Sequence, residues 1–182
     1  MIDWEWKAID DLEAQEDYGQ AMYQMYAVWQ KDRLNLKVFL RLSFLVWIIV
    51  VEPFMTVDTS DIEEDYVDFV PLLNDLEKFG QRHFQHQSEF LWIFGYMNYM
   101  FPFYFEADDE TITSEMYQKA YELQPDDPIV KMLYLEDNKN YNGIFDRRAL
   151  REEVARILPA RFRGNGEMQE YFRHVLNKKS EY

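Results

Sequence analysis

The residues of this chain whose types and spacing could do chemistry are histidines and carboxylates at helical intervals. His83 and His86 lie three apart, and Glu89 follows at the same interval, so one helical face could present all three as metal ligands. No fourth ligand accompanies them. The sequence contains no cysteine, and the remaining histidine, His174, stands four residues after Glu170. That is not the three-residue Glu-to-His step by which helical bundles hold paired iron. The expectation is three surface or partly buried histidines, with no metal and no cofactor.

Other chemistries leave weaker traces. Asn138, Asn140, Asn142 and Gly143 imitate the opening of a calcium-binding loop, but Ala149 occupies the position that needs a bidentate Glu. A polar turn is expected there. No nucleophile elbow, phosphate-binding loop or dinucleotide fingerprint is present, and Gly164-Asn165-Gly166 reads as a turn between helices. The carboxylate pairs Asp10-Asp11, Glu63-Glu64-Asp65 and Asp108-Asp109-Glu110 are expected to be solvated rather than catalytic. The chain is therefore not expected to be an enzyme.

Acids clustered beside aromatics are the more distinctive feature. Residues 58–77 hold eight acids and no base, together with Tyr66 and Phe69. Residues 106–110 carry four acids directly after Phe103-Tyr104-Phe105, and the first 17 residues hold seven acids and one Lys beside Trp4, Trp6 and Tyr18. Exposed aromatics anchor protein interfaces, and acids steer a basic partner and fix its register. Asp61, Glu63, Glu64, Asp65, Tyr66, Asp68 and Phe69 form the favoured candidate surface. Tyr104, Asp108, Asp109 and Glu110 form the alternative.

Composition agrees with that emphasis. The 182 residues carry 34 acids against 19 bases, a net charge of −15, which disfavours nucleic acid and anionic membrane as direct partners. A hydrophobic fraction of 48% with 32 aromatics is enough for a true core. Residues 1–140 hold 28 acids and 10 bases, and residues 141–182 hold 6 acids and 9 bases. A single domain over 1–182, an acidic body with a basic C-terminal helical part packed on it, is expected. The opening Met-Ile-Asp-Trp-Glu-Trp is acidic where a signal peptide needs basic residues, and the apolar run Val38–Val51 is interrupted by Arg41 and Ser43. The expected compartment is the cytoplasm.

The elements that must position these residues are helical. Tyr18, Met22, Met25 and Trp29 make one apolar stripe. Leu34–Val51 is nearly continuous and predicts a central helix, with Val46–Val51 favouring helix over strand by continuity. Asp68 is a candidate cap for a helix that Gly80 stops. The stripe Phe90, Phe94, Met97, Phe101 ends at Pro102, and Ser114–Leu123 closes at Pro125. Asp127-Pro128 opens the next helix. A further one runs from an Asp146 cap to Leu158 and ends at Pro159, and the last spans Glu167–Asn177. An all-α bundle of about seven or eight helices follows.

Two resemblances add to this. Tyr117-Gln-Lys-Ala120-Tyr-Glu-Leu-Gln-Pro125 resembles the second helix and exit of a tetratricopeptide repeat, with Leu91–Tyr96 as the first helix, where Gly95 lets the partner approach. The spacing is about six residues longer than that repeat and no second copy follows, which implies a hairpin rather than an array. The whole chain, small, acidic, aromatic-rich, helical and cysteine-free, is similar in character to immunity proteins of contact-dependent growth inhibition and related polymorphic toxin systems. The helix beginning Ser88-Glu-Phe-Leu-Trp-Ile-Phe-Gly adds to that likeness. The resemblance implies a cognate toxin domain as partner, often a basic nuclease, blocked by occlusion of its active site or substrate groove. The alternative is a helical adaptor or chaperone-like scaffold that binds a peptide or protein.

Overall fold

The central apolar run forms the helix around which the others are arranged. The computed structural model describes residues 2–52, 69–105, 110–138 and 147–177. Among them are nine α-helices: α1 (Lys7–Glu13), α2 (Tyr18–Lys31), α3 (Leu36–Val51), α4 (Phe69–His83), α5 (Ser88–Met100), α6 (Glu110–Leu123), α7 (Pro128–Asp137), α8 (Arg147–Arg161) and α9 (Glu167–Val175). A 3₁₀ turn, Pro102–Tyr104, follows α5, and no strand forms among the described residues. The expected all-α bundle is the observed fold.

α3 touches α2, α4, α5 and α9, and 13 of its 16 residues are buried. Each large apolar side chain so buried contributes about 1.5–3 kcal/mol. The helix starts at Leu36 because the Asn35 side chain accepts from Val38 N–H at 3.2 Å, so Leu34 falls outside it and is 64% exposed.

The ring contacts fix directions. Phe39, in the first turn of α3, lies 5.8 Å from Phe79 and 4.9 Å from Phe84, and α4 therefore runs antiparallel to α3. Phe39 also meets Phe90 and Phe94, while Trp47 meets Phe101 at 5.9 Å, so α5 runs parallel to α3. In α9, Phe172 lies 5.6 Å from Phe44 and Tyr171 lies 5.5 Å from Trp47, along the second half of α3. The ends of α3 and α5 and the start of α4 consequently share one end of the bundle.

α5 and α6 form the antiparallel hairpin. Ser88 Oγ donates to the Ala120 carbonyl at 3.3 Å, and Thr113 Oγ1 donates to Asn98 Oδ1 at 3.2 Å at the other end. Between them a Cβ on Gly95 would sit 2.9 Å from Tyr117 Cε1, so the helices touch there because the side chain is missing.

Several expectations are corrected. Gly80 does not stop α4, which continues to His83; a Cβ at Gly80 would collide with the Phe90 ring, and the glycine serves close packing in mid-helix. Pro159 does not end α8. Phe162 N–H reaches the Leu158 carbonyl at 2.9 Å, and burial of Phe162 holds the last turn together past the proline. α6 starts four residues before Ser114, and α1 had no counterpart in the apolar pattern. Its first turn is closed by Asp10, whose Oδ2 accepts from Trp6 N–H at 3.0 Å. The candidate caps Asp68 and Asp146 lie outside the described residues.

Candidate protein-binding surface

Most of the chain's aromatics are spent on the core, and a few are not. At the shared end of α3, α4 and α5, Phe103 is 69% exposed, Tyr99 63% and Met100 40%. They stand on the last turn of α5 and on the 3₁₀ turn, which itself packs against α4. These rings are held from below. Phe103 and Tyr104 lie 4.4 Å apart, both meet Phe101, and Phe101 meets Trp47 in the core. Pro102 at the start of the turn restricts the backbone.

Among the sequence candidates, Tyr104 is half-buried within this group, and Phe69 is half-buried at the start of α4. Glu110 opens α6. Asp61, Glu63, Glu64, Asp65, Tyr66, Asp68, Asp108 and Asp109 lie outside the described residues. Phe105, grouped with the exposed aromatics by its position before the acids, is buried. Phe103, grouped with it, is exposed, whereas Tyr99 and Met100 carry no sequence signal beyond falling between the inward positions Met97 and Phe101 of the α5 stripe.

The elements at this end come from stretches of sequence that lack bases. Residues 42–77 and 83–118 are the two longest runs without Lys or Arg, 36 residues each, and together they contain fifteen acids. The second half of α3, most of α4, all of α5 and the start of α6 come from these runs. Covalent continuity joins the acid-rich segment 58–68 to Phe69 and the acid-rich segment 106–109 to Phe105.

Comparison with protein-family models, curated sequences and solved structures finds no match.

Of the N-terminal acids, Asp10 and Glu13 turn inward, while Asp3, Glu5, Asp11, Glu16 and Asp17 are exposed. Trp4, expected on the surface, is buried in the core and stacks on Phe162 at 6.4 Å. Asp10, expected to be solvated, and Glu13 instead accept from Arg41 Nη2 at 2.8 and 3.0 Å; Arg41 is fully buried and its Nη1 also bonds to Gln169 Oε1. This clasp joins α1, α3 and α9. Burial pushes the Glu13 carboxyl up from 4.5 despite the opposing pull of Arg41, and burial likewise raises Glu167. Tyr18, bonded to Glu167, is pushed up to about 12 by burial and by that carboxylate. Asp3 and Glu5 pair with Arg163.

The histidine set also comes apart. His83 ends α4, His86 lies in the following turn, and Glu89 belongs to α5, so no single helix presents the three. Glu89 turns inward to Arg161, whose Nη1 also holds Asp127 at 3.0 Å. Asp127 caps α7 through its other oxygen, which accepts from Ile129 and Val130 N–H. Among the described residues no group of three or more His, Asp or Glu is placed to hold a metal. Nor is any described helix long and apolar enough to cross a membrane.

Proposed function

We propose that this protein neutralises a basic toxin domain, in the manner of the immunity proteins of contact-dependent growth inhibition and other polymorphic toxin systems. One observation supports the reading above the rest: exposed aromatics stand on one end of the bundle, on elements drawn from the run 83–118, which carries six acids and no Lys or Arg. A nuclease needs a basic groove, because its substrate is a polyanion. An acidic partner competes for that groove without chemistry of its own. Steering by opposite potentials sets a fast association, and desolvated aromatics set a slow dissociation. The protein acts in the cytoplasm, where the toxin meets nucleic acid, and requires no cofactor. Its inhibition is occlusion of the active site or substrate groove.

The experiment is co-expression with the toxin domain of a toxin gene found directly upstream, whose absence favours the adaptor reading. Survival of cells carrying both, and stoichiometric inhibition of the purified nuclease, support the proposal. Continued toxicity with a folded protein present refutes it. The α5–α6 hairpin, with Gly95 and Ala120 at its contact, favours a second reading as a helical adaptor or chaperone-like scaffold for a peptide or protein partner. Tight binding of a short unfolded segment, and none of a folded domain, selects the adaptor.

A further inference from the structure

Resting on that reading, we propose that Phe103, with Tyr99 and Met100 beside it, is the apolar anchor of the interface, and that its occupant is an apolar pocket on a basic protein, rimmed by Lys or Arg. A domain that buries Trp4, Trp47 and Trp92 completely leaves Phe103 and Tyr99 more than three-fifths in water. Exposed rings of this size are interface material when they are preorganised. Phe103 is preorganised: its ring packs on Tyr104 and Phe101, and Phe101 packs on Trp47, so a continuous line of rings runs from surface to core. Binding therefore costs little ordering of these side chains.

Charge selects the occupant. No Lys or Arg occurs between Arg82 and Lys119, the run that carries the patch, and the chain enters an acid-rich segment directly after Phe105. A second copy of this chain would bring like charge against like charge, and an anionic lipid surface would do the same. A basic protein meets no such repulsion. The anchor supplies residence time, and the acids supply the approach.

The test is site-specific photocrosslinking in cells that make the whole toxin system. p-Benzoylphenylalanine replaces Phe103 or Tyr99 and, as controls on the opposite end of the bundle, Leu34 or Leu123, which are 64% and 46% exposed. The expected result is an adduct from 103 and 99 to one basic protein, on an apolar peptide flanked by Lys or Arg, and none from 34 or 123. An adduct with that protein from 34 or 123 alone overturns the anchor and leaves the toxin reading standing. An adduct from 103 to a second copy, a lipid or an acidic protein overturns the occupant, and the toxin reading with it. No adduct at any of the four positions overturns the patch as an interface. With the crosslinked protein purified, Phe103→Ala and Tyr99→Ala are expected to speed dissociation at least about tenfold, with unchanged helicity and melting. Unchanged dissociation in both variants overturns the anchor even where neutralisation persists.

Discussion

Replacing Arg41 by methionine removes a buried cation and leaves its carboxylates behind. The arginine side chain is fully buried, and Asp10 and Glu13 accept from one of its nitrogens at 2.8 and 3.0 Å. Met retains much of the apolar stem, so the loss is chiefly electrostatic. Breaking a buried pair from one side costs about 3–5 kcal/mol, a large part of a domain stability of about 5–15 kcal/mol. Glu13 then has one way out, which is to take up a proton. Its carboxyl is already pushed above 4.5 by burial with Arg41 in place, and without the cation it rises further. Between 4.5 and that raised value the folded state of the variant binds a proton that the unfolded chain does not. Its stability therefore increases as pH falls through the window, by about 1.4 kcal/mol per pH unit. The assay is urea unfolding followed by tryptophan fluorescence at pH 7.5 and 5.5, on wild type, Arg41→Met and Arg41→Met/Glu13→Gln. The single variant should lose most at pH 7.5 and recover part of the loss at 5.5, while the double variant should regain stability and lose that pH dependence. A loss equal at both pH values and untouched by Glu13→Gln would show that the clasp is not an electrostatic one.

Other expectations follow from the same packing. Trp47→Asp places a charge in the core under Phe101 and Tyr171 and should leave the protein unfolded or aggregated, as circular dichroism and gel filtration will show; a native monomer would mean that Trp47 is not a core residue. In the wild type, Glu13 and Glu167 both titrate above 4.5, so their contribution to stability is gained as pH falls towards that value; the urea midpoint should hold or rise from pH 7 to 5, and a steep fall contradicts the assignment. Gly95→Val should force α5 and α6 apart against Tyr117 and cost about 1–3 kcal/mol in urea unfolding, whereas an unchanged midpoint would rule out the close approach.

The parts of this fold that are legible in the sequence are those in which one local signal suffices. An apolar run long enough for one helix made α3 readable, and the four-three-four stripe of α2 needed no partner to be seen. Proline and glycine were read less well, because tertiary contacts decide what they do. Gly80 looks like a stop until Phe90 is known to occupy the space of its side chain, and Pro159 ends nothing because Phe162, three residues further on, is buried. Arg41 looked only like an interruption of the apolar run. Its partners stand 28, 31 and 128 residues away, a separation that no local pattern carries. In the candidate surface, the aromatics before residues 106–110 fall at the end of the bundle where Phe103, Tyr99 and Met100 are exposed. Which of the rings face water depends on the turn at Pro102, where Phe103 points out and Phe105 in.

The proposed neutralisation rests on attraction between the acid-rich segments and a basic toxin domain, and stopped-flow association with such a domain tests it most directly. Rates are measured at low and at near-physiological salt for wild type and for the variant with Asp61, Glu63, Glu64, Asp65 and Asp68 changed to the corresponding amides. The wild type should associate faster than about 10⁷ M⁻¹s⁻¹ at low salt and slow steeply as salt is added, and the amide variant should be slower with a flatter dependence. Equal rates for the two proteins, with equal salt dependence and equal protection of cells, would contradict acid-steered neutralisation.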